Sequence, residues 1–194
     1  MTALSLSAAN AAIYKATASA GSGGIDLDLE VLIDSDTDEV TITMVGPADR
    51  WFSWGFDTNT MRGYSIITTF SGATPIINEQ TLVAIGNPGS PQSSQDLTEV
   101  SADVNAGEIT LVLTRPRVTG DAEDFDFADY QSGGDIDMVW AYSGSGSQTL
   151  VYHQAQARGK NLSMQFRENS VPVRKQSWGL LKLEFQEVPA EEAP

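Results

Sequence analysis

The chain carries a single histidine, His153, and no cysteine. That inventory removes disulfides, thiolate zinc sites, iron–sulfur clusters, cysteine nucleophiles and covalent c-type haem attachment. A zinc or mononuclear iron centre normally needs several imidazole or thiolate ligands, and one imidazole does not make such a site. A Ser-His-Asp triad would need a nucleophile elbow, and no G-x-S-x-G on a strand–turn–helix is present. Gly144-Ser145-Gly146-Ser147 reads instead as a turn between strands. One histidine together with one thioether is a different matter. Haem iron accepts His/Met axial ligation, and the thioether favours the ferrous state.

Of the five methionines, Met1 begins the chain, and Met44, Met138 and Met164 fall inside strand patterns, where filling core gaps is their usual work. Met61 stands apart. It follows the polar turn Asp57-Thr58-Asn59-Thr60 and precedes Arg62-Gly63. An apolar side chain there is either tucked against the rim of the fold or aimed into a pocket as a ligand.

The elements that would position these groups read as strands throughout. Short β-branched and aromatic segments alternate with Gly, Asn, Asp, Ser and Pro clusters, the rhythm of an all-β, antiparallel β-sandwich with little helix. Ile25–Val31 alternates apolar with acidic residues, so one face is wet. Strands are expected at 25–31, 40–44, 51–56, 64–70, 98–104, 108–114, 136–142, 149–153, 162–166 and 178–188. Asn105-Ala106-Gly107 is a hairpin loop, and residues 86–95 form a surface loop. Residues 1–188 read as one domain, and 189–194 as a tail or the start of a linker.

Other motifs are weak. Asp34-Ser35-Asp36-Thr37-Asp38-Glu39 starts like a calcium loop but lacks the glycine at its sixth position and has Val45 at its twelfth. It reads as a solvated hairpin tip. Asp121, Glu123, Asp124, Asp126 and Asp129 read as a solvated acidic loop. Gly21-Ser22-Gly23-Gly24 lacks the strand and helix of a phosphate-binding loop.

The balance of 26 acidic against 11 basic residues gives a formal net charge of −15. A surface this negative repels phosphate backbones, which argues against nucleic acid as a partner; it reads as a means of colloidal solubility or as steering toward a basic partner protein. No apolar run reaches the length of a spanning helix, so no membrane span is expected. Met1–Ser5 lacks a basic start and a long apolar stretch, so the chain is either cytoplasmic or has had a leader removed.

Three segments, in order, resemble the DOMON family, which includes the cytochrome domain of fungal cellobiose dehydrogenase. They are Trp51-Phe52-Ser53-Trp54-Gly55-Phe56 with Met61-Arg62-Gly63-Tyr64; Leu113-Thr114-Arg115-Pro116 with Thr119-Gly120-Asp121; and Met138-Val139-Trp140-Ala141-Tyr142 with Tyr152-His153 and Arg158-Gly159. The resemblance implies an immunoglobulin-like sandwich holding one haem b, with Met61 and His153 as axial ligands. Arg158 then becomes a partner for a haem propionate, or otherwise one half of a structural salt bridge. Phe56 and Tyr152 flank the ligands and are candidate pocket-lining residues.

The implied role is electron transfer rather than catalysis, in an extracellular or periplasmic setting. Its redox partner would be a dehydrogenase, a membrane cytochrome or a copper enzyme. The rival reading, on the same sandwich, is a carbohydrate-binding or adhesion module stacking sugars on Trp51, Trp54 and Trp178.

Overall fold

The computed structural model describes residues 12–169. The expected strand at 178–188, Trp178, the 189–194 tail and the N-terminal Met1–Ser5 lie outside the described residues. Among the described residues, ten strands form one antiparallel sheet that folds over on itself. They are β1 (Ile13–Ser22), β2 (Ile25–Asp34), β3 (Glu39–Pro47), β4 (Phe52–Phe56), β5 (Gly63–Ser71), β6 (Thr74–Leu82), β7 (Thr98–Asn105), β8 (Glu108–Pro116), β9 (Gly134–Tyr142) and β10 (Arg158–Glu168). The spatial order is β6-β5-β4-β9-β10-β1-β2-β3-β8-β7. A short ladder, Tyr14↔Glu168 and Lys15↔Arg167, joins the β6-to-β10 half to the β1-to-β7 half. The only helical turn among the described residues is the 3₁₀ segment Ala128–Tyr130.

Alternation explains which faces meet. On β2, Leu27, Leu29, Val31 and Ile33 are buried while Asp26 and Asp28 face water. Each such side chain stabilises the fold by about 1.5–3 kcal/mol through burial alone. They pack with Ile42 and Met44 of β3 and Leu111 and Leu113 of β8. Phe52, Trp54 and Phe56 of β4 complete the same core from the opposite half. The interior is filled with side chains, so any large ligand must sit elsewhere.

Two strands are absent from the sequence expectation. In β1 the buried positions are Ala16 and Ala18, small residues with weak strand preference. β6 opens Thr-Pro and buries the polar pair Glu79 and Gln80, and Pro75 is tolerated because β6 is an edge. Conversely, the expected strand at 149–153 is irregular. The preceding strand β9 is already paired on both sides, by β4 and β10, so the segment cannot return beside it as a hairpin partner. The hairpin tip at residues 34–38 is closed by Asp34, whose Oδ1 accepts from the Asp36 backbone N–H at 2.9 Å. Gly23-Gly24 and Ala106-Gly107 form two-residue hairpin loops with positive φ at both positions.

Candidate functional site

A pocket of about 510 Å³ lies on the outer face of the β6-to-β10 half, a volume typical of small-molecule and cofactor sites. Ser53 and Gly55 of β4, Ile67 of β5, Leu82 of β6 and Val139 and Ala141 of β9 line it from the sheet. These alternate with the core residues Trp54, Ile66 and Met138, so the same strands that seal the interior offer their reverse side to the pocket. Two loops supply the chemistry. Met61 comes from the β4–β5 connection, and Tyr152 and His153 from the β9–β10 connection.

Both loops are held by backbone bonds. In the first, the Thr58 N–H donates to Asp137 O at 3.0 Å, and the Thr58 hydroxyl donates to Thr60 O at 2.9 Å. In the second, the Ser143 N–H donates to Trp51 O, and the Trp51 N–H donates to Ser147 O, both at 2.9 Å. The buried Ser143 hydroxyl accepts from the Ser147 N–H at 2.8 Å. A side chain at Gly144 would meet His153 O at 3.2 Å and Ala157 Cβ at 3.3 Å, so glycine lets the His153 segment pass close beneath.

His153 is only 7% exposed. Its Nδ1 lies 2.9 Å from Gln154 O. A carbonyl can only accept, so this contact puts a proton on Nδ1, and in the neutral ring the lone pair is then on Nε2. Gln154 adopts φ +62°, an uncommon conformation for a non-glycine residue, at the position whose carbonyl holds the imidazole. The Tyr152 ring lies 4.7 Å from the imidazole centroid to centroid, and Tyr152 is otherwise exposed.

Beyond the histidine, Arg158 and Lys160 bring two cations to the pocket wall. Among the described residues no carboxylate pairs with either, despite the acidic surface. Gly159 sits between them, and a Cβ there would fall 2.5 Å from Cε2 of Trp140. The Arg-Gly pair therefore has a packing reason: glycine admits an indole that stacks on Tyr142 at 6.0 Å. A Cβ on Gly55 would approach Val139 Cγ2 to 2.7 Å. The buried Trp51 Nε1, on another wall, has no hydrogen-bond partner among the described residues.

The family model for the DOMON domain matches residues 26–143. The chain belongs to the DOMON family. No curated protein sequence matches it. Among solved structures, the DOMON chain is similar to the cytochrome b domain of pyranose dehydrogenase from Coprinopsis cinerea. That likeness has 19% identity and TM-score 0.51, and covers 77% of this chain and 80% of that one. The cytochrome domain of Myriococcum thermophilum cellobiose dehydrogenase is similar at 13% identity and TM-score 0.49, covering 78% of this chain and 80% of that one.

Of the residues singled out from sequence, the DOMON fold gathers Met61, Tyr152, His153 and Arg158 around one pocket. Phe56 is elsewhere. Its ring faces the sandwich interior, within 5.8 Å of Tyr64, Phe125 and Phe127. Strand alternation turns it away from the face that Gly55 presents. Sequence reasoning passed over Lys160, Leu150, Val151 and Ile85. Ile85 is an exposed large apolar residue, 80% accessible, at the start of a loop rich in Gly and Pro.

Proposed function

We propose that this DOMON domain is a b-type cytochrome that transfers electrons, with haem held on the outer face of β4 and β9 between Met61 and His153. The observation that carries the reading is the contact of His153 Nδ1 with Gln154 O, which leaves Nε2 of a neutral ring as the nitrogen available to a metal, on a residue that lines the same pocket as Met61. Orienting an imidazole through its second nitrogen is the usual support for a metal ligand.

The remaining residues fit the group. Gly55 and Gly159 keep side chains off the sheet floor, and Ile67, Leu82, Val139, Leu150 and Val151 give it apolar walls. Arg158 and Lys160, at the wall and without a carboxylate partner among the described residues, suit propionate carboxylates. Bound haem supplies a one-electron ferric/ferrous couple. Ligation by both Met61 and His153 leaves no open position for a substrate, so the domain serves a partner oxidoreductase rather than acting as an enzyme.

A dehydrogenase, a membrane cytochrome or a copper enzyme fits the role of redox partner, docking over a small and transient interface. The extracellular or periplasmic setting implied by the family resemblance is part of the proposal. Among the described residues, no helix is long and apolar enough to cross a membrane. The sugar-binding rival loses support at two of its three tryptophans. Trp51 is 3% and Trp54 0% exposed, so neither face is open to a sugar ring.

Visible spectra of the purified protein, oxidised and then dithionite-reduced, test the proposal after haem addition. Sharp α and β bands on reduction are expected of low-spin, six-coordinate haem. His153→Ala loses most of the haem, and Met61→Ala lowers the midpoint potential. Spectra unchanged in both variants, or no haem uptake at stoichiometric addition, refute it.

A further inference from the structure

The pocket face differs from the rest of the chain in charge. Residues 80–95 and 143–157 contain no Asp, Glu, Lys or Arg, although 19% of the chain is charged and two stretches of that length would hold about six such residues. Both stretches border the pocket, the first through Leu82, Ile85 and Pro88 and the second through Leu150, Val151 and Tyr152. They meet again around a neighbouring groove, at Pro91 and Leu150. None of the residues lining the pocket is acidic, in a chain with 26 acids. Its two cations, Arg158 and Lys160, are those assigned above to propionates.

The same face is apolar. Among the described residues nine large apolar side chains are exposed, and five of them, Val83, Ile85, Leu150, Val151 and Tyr152, fall in the two uncharged stretches. Scattered exposed apolar residues need no explanation, but a cluster around one opening marks a contact surface. Tyrosine is also a residue type enriched at the centres of interfaces. Charge decides what can cover this face. A second copy would set two rings of carboxylates against each other, each copy carrying −15. An anionic lipid surface meets the same repulsion. A partner with charges at its own centre would lose their hydration here and gain no counter-charge. What fits is an uncharged apolar centre inside a basic rim, the usual division of an interface into core and periphery.

We propose, resting on the cytochrome reading above, that the redox partner docks on this uncharged face, and that the partner is a basic protein presenting an apolar patch ringed by Lys and Arg. The acids outside the face steer the partner in, and the apolar contact holds it. Ile85, Leu150, Val151 and Tyr152 belong both to this surface and to the pocket, so a protein seated on them touches the walls of the haem site. The electron then has no need to cross the sandwich.

Amide NMR of the full chain, titrated with mitochondrial cytochrome c as a basic one-electron probe, tests this with a readout that needs no turnover. At about 0.01 M salt, where surface charges act over about 30 Å, the perturbed amides are those of residues 83–88 and 150–152. Raising the salt to about 0.5 M weakens the complex at least about tenfold. Val83→Ser/Ile85→Ser weakens it at least about threefold by removing apolar contact, and Val104→Ser, an exposed apolar residue of β7, leaves it unchanged. Perturbation confined to the acidic hairpin tip at 34–38 or to β7 overturns the proposal, as does an equal loss in the Val104 variant or no complex at either salt. So does co-sedimentation with phosphatidylglycerol vesicles, or a dimer that Val83→Ser/Ile85→Ser dissociates. Haem uptake is scored separately from the visible spectrum. Uptake with a silent face removes the docking surface alone, and a perturbed face without uptake removes the cytochrome reading alone.

Discussion

Arg115 is the residue on which the interior electrostatics of this domain turn, and replacing it with methionine measures that directly. The guanidinium is fully buried and crosses between the halves of the sandwich. It donates to Tyr64 Oη at 2.8 Å, Glu79 Oε1 at 3.2 Å, Asp124 Oδ2 at 3.0 Å and Phe125 O at 3.2 Å. Its Cζ also lies 5.2 Å from the Tyr64 ring centroid and 5.6 Å from that of Phe127. Methionine fills much of the volume, so the cavity contribution is small. What remains is two carboxylates in the interior without their cation. Removing one partner of a buried ion pair costs about 3–5 kcal/mol. Glu79 keeps three other donors and Asp124 keeps Thr119, which places the loss within that range rather than above it. For a domain of this size the corresponding fall in Tm is about 6–20 °C.

The assay is urea unfolding at neutral pH, for the wild type, Arg115→Met, and the triple variant Arg115→Met/Glu79→Gln/Asp124→Asn. The triple variant removes the stranded charges along with the cation and recovers most of the loss, because replacing all the partners of a buried pair is far milder than replacing one. A loss below about 1 kcal/mol in Arg115→Met would refute the argument. A triple variant no more stable than the single one would also refute it, since the cost would then lie in packing and not in charge.

The same acids make stability depend on pH in a defined direction. Burial holds the Asp124 carboxyl above its ordinary value of 3.8, against the lowering pull of Thr119 and Arg115. Its folded pKa exceeds the unfolded one, so its contribution is complete below about pH 4 and is lost as pH rises through the folded value. Asp124→Asn removes that decline, and urea midpoints between pH 4 and 7 reveal it as a flatter profile. A wild type that instead gains on the variant with rising pH contradicts the assignment. At the pocket, Gly159→Ala drives a methyl into the Trp140 indole, which is pinned against Tyr142. Overpacking of this kind costs about 1–3 kcal/mol and swings the indole off its stack. The expected readouts are altered tryptophan fluorescence and weakened haem uptake, and unchanged values of both would show that the indole has room to yield.

How much of this was legible in the sequence differs by element. Strands with one wet face, such as β2 and β8, announce themselves, because polar residues (Asp and Glu in β2, mainly Thr in β8) alternate with Leu, Val and Ile. β1 does not, since Ala16 and Ala18 bury little area and its exposed positions are Ser and Thr. β6 is masked by a buried glutamate, whose place in the interior depends on Arg115, a residue 36 positions further along. The 149–153 segment fails for the opposite reason. Its apolar residues are real, but Leu150 and Val151 face a pocket and not a sheet. Asp124 sits in a run that reads as a solvated loop, and nothing local distinguishes it from its exposed neighbours Glu123 and Asp126. Met61 stood out as a large apolar residue in a polar connection and His153 as the chain's single histidine, and their pairing as haem ligands rests on the DOMON resemblance. Phe56 was misplaced because alternation, which decides its face, has no phase until a neighbouring strand is fixed.

That phase also determines where a cofactor can be held. β4 sends Phe52, Trp54 and Phe56 inward and Ser53 and Gly55 outward, so its large residues all serve the core and its small ones all face the pocket. β9 repeats the pattern, with Ile136 and Met138 inward and Val139 and Ala141 outward. A flat floor of small residues is therefore a by-product of sealing the sandwich with large ones. Ser53, Gly55, Val139 and Ala141 offer no imidazole or thioether, so on the proposed reading any axial ligand would have to be supplied by the loops. Met61 and His153 stand in the two connections that leave these strands, and the domain's hydrophobic core contains neither. Loss of the cofactor should leave that core intact. A protein that is colourless but cooperatively folded is the expected outcome of His153→Ala, and an unfolded one would mean that the pocket and the core are not separable in this way.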